Sequence, residues 1–122
     1  MTRIIIAGSR VFDNEETFIK AMEELVIPID DDIEIISGGC SGADEMGERF
    51  ARSRYYRLAV FPAKWNEYGR AAGPIRNEEM AKYASAADRG ILIAFPIGES
   101  RGTRNMIKLA KQYGLEVEVV ES

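Results

Sequence analysis

Residues 37–44 read "SGGCSGAD"; they close the apolar run Ile33 to Ser37 (IEIIS) and lead into an amphipathic stretch. Three glycines within residues 38–42 suit neither a helix nor a strand interior, where glycine loses the most backbone freedom and packs nothing. A buried strand, a glycine-rich turn and a helix in that order make one βα unit, and the turn predicts something approaching its backbone closely.

Working outward, the same unit recurs along the chain. Arg3 to Ala7 (RIIIA) is a strand of consecutive apolar residues, as expected for burial on both faces. Asp13 is the expected N-cap of the next helix, with Glu16 completing a capping box. Phe18, Met22 and Leu25 form its apolar stripe, and Pro28 lies beyond its end. A helix from about Gly42 to Tyr55 turns Met46, Phe50 and Ala51 inward, and Leu58 to Pro62 is the third strand. Residues 63–73 (AKWNEYGRAAG) read as a loop before a helix opening on Pro74. Gly90 to Phe95 is the fourth strand. The last helix, Ser100 to Tyr113, carries Met106, Leu109, Ala110 and Tyr113 on one face, with Gly114 as its C′ cap before strand Leu115 to Val120. The expectation is one α/β domain over residues 1–122. It is a Rossmann-like doubly wound fold with five parallel strands ordered 3-2-1-4-5 and helices on both faces.

Composition narrows the chemistry. The chain has 122 residues, 46% of them apolar and 30% charged, with a net charge of −4. No apolar run approaches the ~20 residues that span a bilayer, and the start MTRIIIAGSR is too short in apolar residues for a signal peptide. The expectation is a cytoplasmic protein without a membrane partner. The chain has no histidine and one cysteine, Cys40, which excludes an internal disulfide, a Ser-His-Asp or Cys-His triad and a zinc site. No metal and no cofactor is expected. The acidic balance argues against nucleic acid as a partner.

In an open α/β sheet the ligand crevice lies beyond the carboxyl ends of the strands. The segments expected there are Gly8-Ser9-Arg10, Ser37 to Asp44, Pro62 to Asn77 and Pro96 to Thr103, which together hold most of the glycines. Bare amides at helix N-termini bind anions. With Pro74 at the first helical position, Arg76 falls in a first turn, as Arg104 does in the last helix. A cation there opposes the helix dipole unless a bound anion reverses the sign. Arg10 and Arg101 share that edge. The alternative is that these arginines pair with Asp13, Asp44 or Glu99. A second basic run, Arg49, Arg52, Arg54 and Arg57, lies at the opposite end of the sheet and reads as a solvated helix end ahead of a partner-binding patch. There is no Gly-x-Gly-x-x-Gly, strand two ends in Ser37 rather than an acid, and Gly98 to Thr103 lacks the lysine and spacing of a Walker loop. Asp44 reads equally as a helix-capping acid and as a ribose acceptor or general base. Cys40 reads as a small filler. Trp65 and Tyr68 read as loop anchors ahead of base-stacking groups, and Asn77 and Asn105 as helix-start polar groups.

Four ordered motifs, "GSR", "SGGCSGAD", "AGPIRNEEM" and "GESRGT", resemble those of the SLOG superfamily of Rossmann-like nucleotide-binding proteins. That group includes the LOG phosphoribohydrolases and DprA, and the chain is most similar to its small stand-alone YspA-type members. The resemblance implies that Gly38, Gly39 and Gly42 face a ligand phosphate or ribose, that Arg76 and Asn77 match the Arg-Asn pair, and that Gly102 and Thr103 form the phosphate-holding turn. The expected ligand-binding set is therefore Gly8, Ser9, Arg10, then Ser37, Gly38, Gly39, Gly42 and Asp44, then Arg76 and Asn77, then Ser100, Arg101, Gly102 and Thr103. Met106 stands where the hydrolases carry a catalytic glutamate, leaving Asp44 and Glu99 as the remaining catalytic candidates. The leading expectation is a module that binds a nucleotide or nucleotide derivative as a sensor or sequestering protein. N-glycosidic hydrolysis or transfer comes second and single-stranded DNA binding third. Dimers are common among such proteins, which admits a homodimer.

Overall fold

A computed structural model describes residues 1–121. Its centre is β1 (Thr2–Gly8), whose Ile4, Ile5 and Ile6 are wholly buried. Consecutive apolar residues suit only a strand covered on both sides, because successive side chains point to opposite faces. Ile4 and Ile6 pack with Phe18 and Met22 of α1 (Glu15–Leu25) and with Met46 and Phe50 of α2 (Ala43–Ser53). Ile5 and Ala7 pack on the other face with Met80 and Ala84 of α4 (Ala72–Ser85) and with Met106 and Ala110 of α5 (Arg101–Gln112).

The sheet is parallel throughout, in the order β3-β2-β1-β4-β5. Its other strands are β2 (Ile33–Ser37), β3 (Arg57–Val60), β4 (Arg89–Phe95) and β5 (Glu116–Val119). β1 runs beside β4 along its full length, from Thr2↔Arg89 to Gly8↔Phe95. The chain leaves β1 toward α1 on one face and leaves β4 toward α5 on the other. The carboxyl ends of these two neighbours therefore diverge and open a crevice, the switch point of a doubly wound sheet. The fold class, strand order and two-sided helix cover match the reading of the sequence.

Several local expectations are corrected. Asn14, not Asp13, caps α1, since its Oδ1 accepts the Thr17 amide at 3.1 Å, the geometry that satisfies a first-turn donor. The segment 63–73 is not a plain loop. It contains α3 (Trp65–Tyr68) and a 3-10 turn at Gly69–Ala71 that runs straight into α4. Pro74 consequently sits at the third helical position, tolerated because a first-turn N–H has no intrahelical acceptor to lose. Asp44 closes no capping box: Gly42 is the N-cap of α2 and no side chain caps it. At the end of α5, Gly114 adopts φ +76° as read, and the Leu115 amide reaches back to the Ala110 carbonyl at 2.9 Å. No helix among the described residues is long and apolar enough to cross a membrane.

Candidate functional site

At the switch point lies a cleft of about 670 Å³. Its inner wall is the β1 end with Ala7, Gly8, Ser9 and Arg10; Met80 and Met106 also line it. α4 contributes Gly73, Pro74, Arg76 and Asn77, α5 contributes Arg101, Gly102, Thr103 and Asn105, and Ser100 precedes it. Trp65 and Arg70 come from the segment before α4.

The cleft is rich in cations. Arg10, Arg70, Arg76 and Arg101 line it, and among the described residues none of the four joins an ion pair. The alternative pairing with Asp13, Asp44 or Glu99 does not form. Arg104, expected to share this role, is turned away: its Nε donates to the Glu99 carbonyl and its Nη2 to the Gly98 carbonyl at 3.3 Å. In the second basic run Arg49 lies 3.8 Å from Glu15 and the exposed Arg52 lies 3.6 Å from the half-buried Glu48, while Arg57 opens β3 instead of ending a helix.

The start of α5 borders the cleft without help from its own side chains. Ser100 precedes it in a left-handed conformation, φ +37°, and its hydroxyl donates to Thr103 Oγ1 at 2.8 Å rather than capping an amide. Gly102 faces open space, since a Cβ there would meet nothing within 4 Å. First-turn amides with no intrahelical acceptor, no acid in that turn and no side chain over Gly102 form a surface that accepts an anion.

The glycines after β2 have a different reason. Arg76 is 9% exposed, and its Nη1 donates to the Gly38 carbonyl and, at 3.4 Å, to the Phe61 carbonyl. A Cβ on Gly38 would lie 2.7 Å from that nitrogen and 2.9 Å from Asp44 Oδ2. Gly42, at φ +76°, brings its Cα against the backbone of Ser9 and Arg10, where a Cβ would be 2.7 Å from the Arg10 carbonyl oxygen. Ser37 donates to Glu48 Oε2 at 2.6 Å and accepts the Gly39 amide at 3.0 Å. Ser37, Gly38, Gly39 and Gly42 therefore do not line the cleft. Within SGGCSGAD, the protein's own guanidinium fills the space beside Gly38 and its β1–α1 turn the space beside Gly42.

Asn77 is buried and fully used. Its Oδ1 accepts from Arg76 Nε at 2.9 Å, and its Nδ2 donates to the Gly102 carbonyl at 3.2 Å and to Asn105 Oδ1 at 2.9 Å. The Arg76-Asn77 pair thus joins the turn after β2 to the start of α5. Asp44, 5% exposed, also reaches the cleft. Burial pushes its carboxyl up to about 6, opposed by the Cys40 amide at 3.3 Å, the Arg76 charge and the Gly8 amide, while Glu48 adds to the rise. Glu99 is exposed and does not line the cleft. Met106, 1% exposed, does line it.

Of the expected site residues the cleft gathers Gly8, Ser9, Arg10, Asp44, Arg76, Asn77, Ser100, Arg101, Gly102 and Thr103. It adds Trp65, Arg70, Gly73 and Cys40, which were not in that set. For Trp65 and Arg70 the signal in the sequence was the length of the β3–α4 segment, since such connections are usually two to six residues; Gly73 lies in the first turn of α4 and Cys40 in the turn after β2.

The family model described as YspA, cpYpsA-related SLOG family matches residues 2–68, which carry β1 to α3. The Gene 61 protein of Mycobacterium phage D29 is 33% identical over 122 residues, covering 96% of this chain and 94% of that protein. That likeness therefore extends over the α4 and α5 walls of the cleft as well. No solved structure matches significantly. On these likenesses the chain belongs to the YspA, cpYpsA-related SLOG family.

Proposed function

We propose that the chain binds a nucleotide or nucleotide derivative in this cleft, as a sensor or sequestering module, with the phosphate at the start of α5. One observation carries the reading: four arginines that join no ion pair line a cleft that also holds uncapped helix amides. Left empty, such a group of like charges repels itself. A phosphate would receive charge-assisted hydrogen bonds from guanidinium and amide together. Membership of a SLOG family supports the same ligand class.

The test is calorimetry against mononucleotides, ADP-ribose and cyclic dinucleotides. Arg101 is the residue to change, because it is exposed and holds no other element in place, whereas Arg76 is built into the fold. Arg101→Ala should weaken binding about tenfold or more, the scale of one charge-assisted bond. Folded protein that ignores the whole panel overturns the proposal.

A second reading, cleavage or transfer at an N-glycosidic bond, is favoured by Asp44. A buried carboxyl raised to about 6 at a cleft wall is suited to exchanging a proton near neutrality. Its test is release of free base from a nucleoside monophosphate, lost in Asp44→Asn. Met106, where the related hydrolases carry glutamate, ranks this reading below binding.

A further inference from the structure

We propose that Trp65 and Arg10 form a clamp for the planar base of the ligand, so that the cleft takes its phosphate at α5 and its base at α3. The inference rests on the nucleotide reading above and adds where the base goes and what holds it.

Trp65 opens α3 and lines the cleft while remaining 49% exposed, unusual for the largest apolar side chain in a chain with well-filled cores. Gly73 in the first turn of α4 leaves room beside one edge of its indole: a Cβ there would lie 3.4 Å from Cη2 and 4.0 Å from Cζ3.

Above the ring stands Arg10, its guanidinium carbon 6.0 Å from the indole centroid. A second pair in the same protein shows what a closed contact looks like: Arg3 lies 3.7 Å over Tyr83, held by Glu34 and the Tyr83 carbonyl. Arg10 has no such anchors. Among the described residues its side chain makes no hydrogen bond and no ion pair, and it is exposed. Carbon surfaces meet at about 3.5 Å, so a flat ring between two planes needs about 7 Å. The existing gap falls about 1 Å short of that, and an unanchored arginine can move so far at little cost. A base slid into it would stack on the indole and receive the cation on its other face. Such a clamp reads the π-face and is tolerant of which base it holds.

Trp65 is the sole tryptophan, so its fluorescence reports on this position alone. The full chain is titrated with adenosine 5′-monophosphate and with ribose 5-phosphate, following fluorescence and heat together. The nucleotide should quench Trp65, shield it from acrylamide, and bind roughly five- to a hundredfold more tightly than the sugar phosphate, the range set by one stacked base. Trp65→Ala should lose that preference and bind both as the sugar phosphate binds, and Trp65→Phe should keep part of it. Nucleotide binding to the wild type without quenching or acrylamide shielding overturns the clamp and leaves the nucleotide reading standing. That measurement needs no variant to fold. Preference for the nucleotide retained in folded Trp65→Ala does the same. Failure of both ligands to bind the wild type overturns the clamp together with the reading beneath it.

Discussion

Arg76 on α4 donates to the carbonyl of Gly38, 38 residues earlier in the chain, and occupies the space a side chain on Gly38 would need. The two residues are complementary in the literal sense: one supplies bulk and charge where the other supplies none. Gly38→Ala should therefore destabilise the protein with no ligand present, by about 1–3 kcal/mol as for overpacked interiors. Urea denaturation of the ligand-free variant checks this. An unchanged midpoint would return Gly38 to the ligand-facing role that the sequence suggested.

Gly102 predicts the opposite pattern. A methyl there meets nothing within 4 Å, and the residue lies in the first turn of a helix. Gly102→Ala should leave stability equal or higher by up to about 1 kcal/mol. The same methyl would stand over the amides proposed to hold the phosphate, so nucleotide binding should weaken. Thermal melting and calorimetry on the one variant separate the two effects.

Asp44 gives a dependence on pH with a defined sign. Its carboxyl is raised from 3.8 to about 6, so between those values the folded protein holds a proton that the unfolded chain has lost. This group's contribution to stability therefore declines as pH rises from about 4 to 6, by an amount of order 1–3 kcal/mol. Asp44→Asn keeps an acceptor for the Cys40 amide and cannot titrate. The difference in unfolding free energy, wild type minus variant, should fall across that window and stay level above it. A level difference throughout would mean that the carboxyl titrates normally.

Asn77→Asp tests the link between α4 and α5. The replacement swaps a donor for an oxygen facing two other oxygens, the Gly102 carbonyl and Asn105 Oδ1. Two part-buried acceptors lose their donor, and each such loss costs up to about 1 kcal/mol. Both stability and nucleotide affinity should drop, the latter because α5 loses its anchor. Intact affinity in a folded variant would remove Asn77 from the site's support.

Runs such as Arg3 to Ala7 and the stripes on α2 and α5 were legible because burial imposes a period on neighbouring residues, and the period is written locally. The strand order is the usual one of the doubly wound fold that such units build, and the handedness of the connections sends their turns to one edge. Asn14 in place of Asp13 as a cap was a one-residue choice between two equally suited side chains. The short helix at Trp65–Tyr68 escaped notice because four residues carry no period. Most of the candidate cleft was legible from the topology, which sends every βα turn to one edge. The reason for Gly38 and Gly42 was not, since both are set by atoms from elsewhere in the chain: Arg76 for one, Ser9 and Arg10 for the other. No reading of spacing within SGGCSGAD contains those partners.

The adjacent pair Arg76 and Asn77 grips the turn after β2 with one side chain and the start of α5 with the other. The floor of the cleft is thereby riveted across the sheet's midline, and the two halves cannot part there without exposing a stranded guanidinium. For the proposed nucleotide, entry and exit would then run through the rim, where Trp65, Arg70 and Arg101 are exposed and join no ion pair. Amide exchange should be slow at the Gly39 N–H, held by Ser37, and fast along residues 65–70. The reverse order would mean that the sheet itself opens to let the guest through.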